Sequence, residues 1–155
     1  QSSNETRTKW IEYGESALAK MTCWANHCRW NFENKMLLLQ AEKMYILGKA
    51  GEAEDLYTKS IRSAHDHKFS HEEAIASELA GDFFYEVHVL PKSLALYKHA
   101  IVCYKEWGAL AVARRVESSV QGKFGLNIVQ IDSLDYSLAF IFALQQGPSN
   151  KRLDI

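Results

Sequence analysis

The sequence is poor in residues that interrupt regular structure, with only 2 prolines and 8 glycines among 155 residues. A sandwich or barrel of short strands needs turn residues about every ten positions, so the composition argues against an all-β fold. Cys23, Cys28 and Cys103 are too few, and odd in number, for a disulfide framework. Unpaired thiols are typical of a reducing compartment, which predicts a cytoplasmic location.

The sequence also lacks an excess of either charge, since 18 Lys and Arg oppose 19 Asp and Glu. Nucleic-acid-binding domains usually carry a basic excess, so we predict no nucleic-acid partner. The longest apolar run covers only 138–144, whereas a membrane-spanning helix needs about 20 apolar residues, and we predict no membrane span. Because the sequence begins at Gln1 without an apolar signal segment, we expect it to be a piece of a longer protein.

Apolar residues recur at spacings of three and four along most of the chain, which is the pattern of amphipathic helices. A first helix is predicted over 5–29, with Asn4 as its N-cap. Its apolar stripe consists of Trp10, Tyr13, Ala17, Met21 and Trp24. A second helix is predicted from about residue 32 or 35 to 47, and further helices at about 52–67, 70–87, 91–107 and 110–120.

Several residues predict where these helices begin and end. Residues 31–34 read as a turn, and Gly48 is expected just beyond the end of the second helix. Ser70 and Glu73 have the spacing of a capping box at the start of the fourth helix. Pro91 stands where a fifth helix begins, a position that proline favours.

The sequence changes character after a predicted repeat domain at 5–120. We predict a linker at 121–131, a C-terminal helix at 132–146 and a loose tail at 147–155. The apolar residues 138–144 either cap the last helices or belong to a helix that joins a following domain, and we favour the cap.

An internal repeat indicates how the helices are arranged. The segment LYTKSI at 56–61 recurs as LYKHAI at 96–101. Both copies carry a small residue, an aromatic four positions later and a small residue three after that, as in tetratricopeptide (TPR) repeats. We therefore predict an all-α, TPR-like α-solenoid of about three antiparallel helix pairs plus a C-terminal capping helix, and the alternative is an ordinary helical bundle.

The predicted core contains the large apolar residues on the inward faces of these helices. They are Trp24, Leu39, Tyr45, Leu56, Tyr57, Ile61, Leu79, Phe83, Tyr97, Ile101 and Tyr104.

One stretch is more specific than the repeat. The sequence SHEEAIASELAGDFF at 70–84, followed by WGA at 107–109, resembles the helical-repeat segment of large signalling proteins. Those proteins join a protein-kinase-like domain, an AAA-type ATPase, this segment, a GAF sensor and a histidine kinase. The resemblance covers about 17–117, and EVHVL at 86–90 replaces the glycine-rich turn of many members.

The resemblance implies a non-catalytic connector between ATPase and sensor or kinase domains. A peptide or a neighbouring domain would bind in its concave groove. No phosphate-binding loop or kinase motif occurs in the sequence. The alternative is a free-standing helical accessory or adaptor subunit of a larger assembly, and an enzyme with a site between helices is a third possibility.

We predict no catalytic, cofactor-binding or metal site. Cys23, His27 and Cys28 could share a metal, but a closed zinc site needs four ligands. The nearest further donors, far along the chain, are His65, His67 and His71. These three histidines are interpreted as partners of a helix C-terminus rather than as a pH sensor. The Glu72–Glu73 pair is interpreted as favourable charge in the first turn of a helix rather than as an acid–base pair.

Two further groups are assigned structural roles. Trp10, Trp24, Trp30 and Trp107 could stack on a ligand, but their helical spacing favours packing in the core or between helices. The basic pairs 114–115 and 151–152 are expected to be solvated.

Overall fold

The computed structural model describes residues 2–127 and residue 130, with side chains from residue 4 onward. This part of the chain is helical and contains no strand, which confirms the all-α prediction. Its helices are α1 (Ser2–His27), α2 (Arg29–Ile46), α3 (Ala50–Asp66), α4 (Ser70–Glu86), α5 (Leu90–Glu106) and α6 (Leu110–Phe124). The C-terminal helix and tail predicted for 132–155 lie outside the described residues.

The helices from α3 to α6 follow one another at a constant spacing. They begin at residues 50, 70, 90 and 110, and each packs on the next along the chain. The most extensive contacts join α4 to α5 and α2 to α3. Residues that are 20 positions apart therefore occupy corresponding positions along successive helices.

The same turn closes α2, α3, α4 and α5. One residue in each turn is left-handed: Gly48, Lys68, His88 and Gly108, with φ of 73°, 63°, 62° and 88°. The next residue donates its N–H to a carbonyl near the helix end at 2.8–2.9 Å, which is the Schellman arrangement. Gly48 thus lies where the sequence predicted it. The segment 86–90 forms this turn without a glycine, because His88 adopts the left-handed conformation.

The starts of two helices differ from the predictions. Asn4 lies inside α1, which begins at Ser2, so it is not the N-cap. The predicted turn at 31–34 is helical, and the interruption between α1 and α2 lies at Cys28 instead.

The predicted capping box at the start of α4 is also wrong. Phe69 is the N-cap and Ser70 is already helical, so no side chain caps α4. Pro91 does lie at the start of α5, as predicted. At the other end, the linker predicted from 121 begins too early, since α6 continues to Phe124 and Gly125 ends it with a φ of 67°.

Most of the predicted core residues are buried or half-buried. The buried ones are Tyr57, Ile61, Phe83, Tyr97, Ile101 and Tyr104. Leu39, Tyr45, Leu56 and Leu79 are half-buried. The prediction is wrong for Trp24, which is 47% exposed because α1 is covered only in part by α2.

Small residues allow α4 and α5 to approach closely around Tyr97. A Cβ atom at Gly81 would lie 3.0 Å from ring atom Cδ1 of Tyr97. The hydroxyl of Ser93 donates to the carbonyl of Gly81 at 2.7 Å. Ser93 and Ala100, the small residues on either side of Tyr97 in the predicted pattern, are completely buried. The pattern therefore marks a close helix contact.

Candidate functional site

An apolar groove lies between α1 and the C-terminal half of α2. Its volume is about 570 Å³. We call it the N-terminal groove, and its lining residues are Thr6, Arg7, Trp10, Ile11, Gly14, Glu15, Leu18, Glu42, Lys43, Ile46 and Leu47. Trp10 is 70% exposed and Ile46 is 68% exposed. Exposed apolar surface of this kind is typical of a surface that another molecule covers.

Two of the charged residues that line the groove form an ion pair across it. Lys43 Nζ is 3.3 Å from Glu15 Oε1, and both side chains are solvated. Such an exposed pair contributes little to stability. The pair therefore adds little to the contact between α1 and α2.

The four tryptophans are exposed, so of the two predicted roles, packing in the core or between helices, the first is wrong. Two of them pack between helices against histidines, Trp30 with its ring tilted by 39° and Trp107 stacked. Trp30 lies 4.1 Å from His67, and Trp107 lies 4.9 Å from His71 at an interplanar angle of 25°, both measured between ring centroids. Ring contacts with tryptophan thus involve two of the histidines that the sequence assigned to a helix end.

The first set of candidate metal ligands, Cys23, His27 and Cys28, does not form a metal-binding group within the described residues. Cys23 and Cys28 are exposed, and His27 Nδ1 donates to the carbonyl of Cys23 at 2.8 Å. No further donor joins these residues within the described chain.

One of the basic pairs has a defined partner. Arg115 donates two hydrogen bonds to the Glu78 carboxylate, at 2.8 and 2.9 Å, and is not simply solvated as predicted. Arg114 is exposed, and the pair 151–152 lies outside the described residues.

Buried tyrosines donate to carboxylates at the helix contacts. Tyr57 donates to Glu42 at 2.5 Å, and Tyr97, 40 positions further on, donates to Asp82. Burial raises the pKa of Tyr57 and Tyr97, and the hydrogen bonds to the carboxylates raise it further. Lys123 Nζ also reaches Asp82, at 2.5 Å. These pairs were not predicted from the sequence, although Glu42 and Asp82 are 40 positions apart, like the tyrosines.

A buried polar cluster lies where α3, α4 and α5 meet. His99 Nε2 donates to Glu73 Oε1 at 2.7 Å, and Cys103 Sγ is 3.5 Å from the same nitrogen. Glu73 and His99 are each 5% exposed, and Cys103 is 3% exposed. We call these three residues the α4–α5 cluster. His65, in the last turn of α3, donates from Nδ1 to the same carboxylate oxygen at 2.9 Å.

Local geometry places these side chains together. His99 and Cys103 are four positions apart on α5 and share one face. Glu73 lies in the first turn of α4, and its backbone N–H bonds to the carbonyl of Phe69 at 2.9 Å. The short turn around Lys68 brings the end of α3 back to this point.

Burial favours the neutral form of both the acid and the thiol of the cluster, but their neighbours shift the two pKa values in opposite directions. Burial alone would raise the pKa of Glu73, but the hydrogen bond and charge of His99, and then those of His65, outweigh it and lower the pKa. Burial raises the pKa of Cys103 to about 12, and the charge of Glu73 adds to this effect. Catalytic thiols need a lowered pKa, so Cys103 is not an activated nucleophile.

Sequence reasoning missed this cluster. Glu73 was assigned to a helix terminus, and neither His99 nor Cys103 was singled out. The available signal was a histidine and a cysteine, four positions apart, among the apolar residues of α5. Within the described chain, this cluster is the one set of at least three His, Cys, Asp or Glu side chains whose donor atoms lie within 4.8 Å of each other.

None of the described helices is both long and apolar enough to cross a bilayer. No protein-family model, curated protein or solved structure matches the chain.

Proposed function

We propose that the chain is a non-catalytic, TPR-like helical-repeat module that binds a protein segment. The observation that carries this proposal is the N-terminal groove, because Trp10 and Ile46 expose most of their apolar surface there. The occupant would be a peptide or a neighbouring domain. From the resemblance of 70–84 to the connector of large signalling proteins, we propose that this domain belongs to the same polypeptide.

The spacing of the helices supports a solenoid over an ordinary bundle. Helices that begin at 50, 70, 90 and 110, each packed on the next, fit a stack built from similar units. The equivalent pairs Tyr57–Glu42 and Tyr97–Asp82 fit the same scheme. Stacks of helix pairs present extended surfaces to their partners, which is consistent with a binding role.

The chemistry of the buried polar groups supports a non-catalytic role. The Cys103 thiol is held protonated by a raised pKa, and the Glu73 carboxylate already accepts from two imidazoles. The buried tyrosines donate to carboxylates. These groups are engaged with one another rather than directed toward a substrate.

Site-specific photocrosslinking in the natural protein tests this proposal. A photoreactive phenylalanine analogue would replace Ile46 in the groove or, as a control, Leu110, which is exposed to a similar degree at the start of α6. We expect Ile46 to give one dominant crosslink and Leu110 to give none. Equal crosslinking from both positions, or none from either, would contradict a binding role for the groove.

The crosslinked peptide also distinguishes the two forms of the proposal. A peptide from another domain of the same chain would support the connector, whereas a peptide from a separate protein would support the adaptor subunit. Sequencing the transcript on both sides of this segment provides the independent check. The connector requires an ATPase motif on one side and a sensor or kinase domain on the other.

A further inference from the structure

The buried polar groups at the junction of α3, α4 and α5 form a mixed set of donors. A carboxylate, an imidazole and a thiol meet in the α4–α5 cluster, and a second imidazole, that of His65, reaches the same carboxylate. Ordinary helix contacts bury apolar side chains, and each buried polar group needs a partner. Convergence of three different ligand types on one point is characteristic of a metal site.

The types of donor define the class of metal. Ca²⁺ and Mg²⁺ prefer sites made of oxygen atoms, which this set does not provide. Thiolate, imidazole and carboxylate together are typical ligands of Zn²⁺. We propose that the α4–α5 cluster binds a Zn²⁺ ion through Glu73, His99 and Cys103, whose donor atoms all lie within 4.8 Å of one another.

One distance in the cluster fits tetrahedral coordination, and another must lengthen. Zn–S and Zn–N bonds of about 2.3 and 2.0 Å place a sulfur and a nitrogen ligand about 3.5 Å apart. Cys103 Sγ and His99 Nε2 are separated by 3.5 Å. An oxygen and a nitrogen ligand would be about 3.3 Å apart, and Glu73 Oε1 lies 2.7 Å from His99 Nε2. Binding therefore requires this oxygen and nitrogen to separate by about 0.6 Å, so that the ion replaces the hydrogen bond between them.

His65 supports the site from outside the set of ligands. Its Nδ1 donates to the shared carboxylate oxygen of Glu73 at 2.9 Å, and its side chain is 38% exposed, whereas those of Glu73 and His99 are almost fully buried. Hydrogen bonds of this kind orient the ligands of a metal. Three protein ligands would leave the fourth position of the tetrahedron to water. The ion would join α4 to α5.

Titration of the purified, chelator-treated chain with Co²⁺ tests the proposal. Cobalt in a tetrahedral site with a thiolate ligand gives intense visible bands and a sulfur-to-metal charge-transfer band. We expect these bands to saturate at equal amounts of metal and protein. Zn²⁺ should displace Co²⁺ and raise the melting temperature, since binding to the folded state alone stabilises it. No charge-transfer band and no change in melting temperature would overturn the proposal.

Variants locate the bound metal. Cys103→Ser should abolish the charge-transfer band, and Glu73→Gln should weaken binding about tenfold or more, the usual order for disturbing a metal site. The matched control is Cys23→Ser combined with Cys28→Ser, which removes two exposed thiols and should leave the spectrum unchanged. Circular dichroism verifies that each variant is folded. A spectrum retained in Cys103→Ser but lost in the control would place the metal at the surface and refute the buried site.

Discussion

The helices α1 and α5 differ in how far the rest of the described chain covers them. Ten residues of α5 are buried, among them Tyr97, and its neighbours cover it on both sides. Among the side chains described for α1, Ala25 is the one that is buried. Both helices are long and regular, so helix formation does not require a share of the core. The comparison teaches that α5 depends on tertiary packing, whereas α1 exposes an apolar face that another molecule can cover.

Truncating a central tyrosine should lower the stability of the fold more than any other change considered for these two regions. We expect Tyr57→Ala or Tyr97→Ala to lower the free energy of unfolding by about 3–5 kcal/mol, because each removes a large core aromatic. Tyr13→Ala in α1 should change it by about 0.5 kcal/mol or less, since Tyr13 is exposed. Urea denaturation followed by circular dichroism measures all three. Similar losses at Tyr13 and Tyr97 would show that the two regions share one core.

The buried carboxylate of α4 should give the next largest effect, and a pH dependence. Glu73 has a lowered pKa in the folded chain, so its contribution to stability is present above the ordinary pKa of 4.5. That contribution is lost as the pH falls through the lowered value, because protonation weakens the bonds from His99 and His65. We expect Glu73→Gln to cost about 1.5–3 kcal/mol at neutral pH, the range for hydrogen bonds to a charged group.

Measurement of stability against pH checks the origin of this loss. The difference between the wild-type chain and Glu73→Gln should shrink as the pH falls below about 4, where glutamates begin to protonate. Glu12→Gln in α1, an exposed position, serves as the control and should have little effect at any pH. A difference that stays constant down to strongly acidic pH would mean that the Glu73 charge does not stabilise the fold.

Close packing at Gly81 should produce the third effect. An added Cβ would lie 3.0 Å from the ring of Tyr97, so Gly81→Ala must displace the ring or separate α4 from α5. Overpacking of this kind costs about 1–3 kcal/mol. Thermal denaturation of Gly81→Ala and of the double variant Gly81→Ala/Tyr97→Leu identifies the cause. If the smaller leucine at position 97 does not reduce the cost of the alanine, the contact with the ring is not its source.

The contrast between the two regions also explains which predictions succeeded. Tyr57 and Tyr97 were identified because the 40-residue repeat places them at equivalent positions. Trp24 was assigned to the core, and Trp10 to the same apolar stripe, because periodicity shows which residues share a face. It does not show whether another element covers that face, and α1 is covered only in part.

The predictions for the polar residues failed for a related reason. Glu73 has the local spacing of a capping box with Ser70, but its side chain bonds to His99, 26 positions further along the chain. Local rules describe what a residue can do within its own helix. They cannot show which distant donors the packing of α3, α4 and α5 brings to it. The cluster could be found only once the helices were placed together.

Replacing exposed helical glycines should give the smallest effect on stability, and it tests directly whether α1 unfolds together with the rest of the described chain. Gly14 in α1 and Gly122 in α6 are both exposed, and a Cβ at either position would contact nothing within 4 Å. Alanine should therefore stabilise each helix by about 0.5–1 kcal/mol, because it has less backbone freedom to lose.

The two gains should appear in different measurements, since α6 belongs to the core and α1 barely does. Gly122→Ala should raise the global unfolding midpoint, whereas Gly14→Ala should slow amide hydrogen exchange within α1 and leave the midpoint nearly unchanged. An equal rise of the midpoint in both variants would show that α1 unfolds together with the rest. In that case its exposed apolar face would be part of one cooperative unit, and α1 would not be a separately stabilised element that a partner could order.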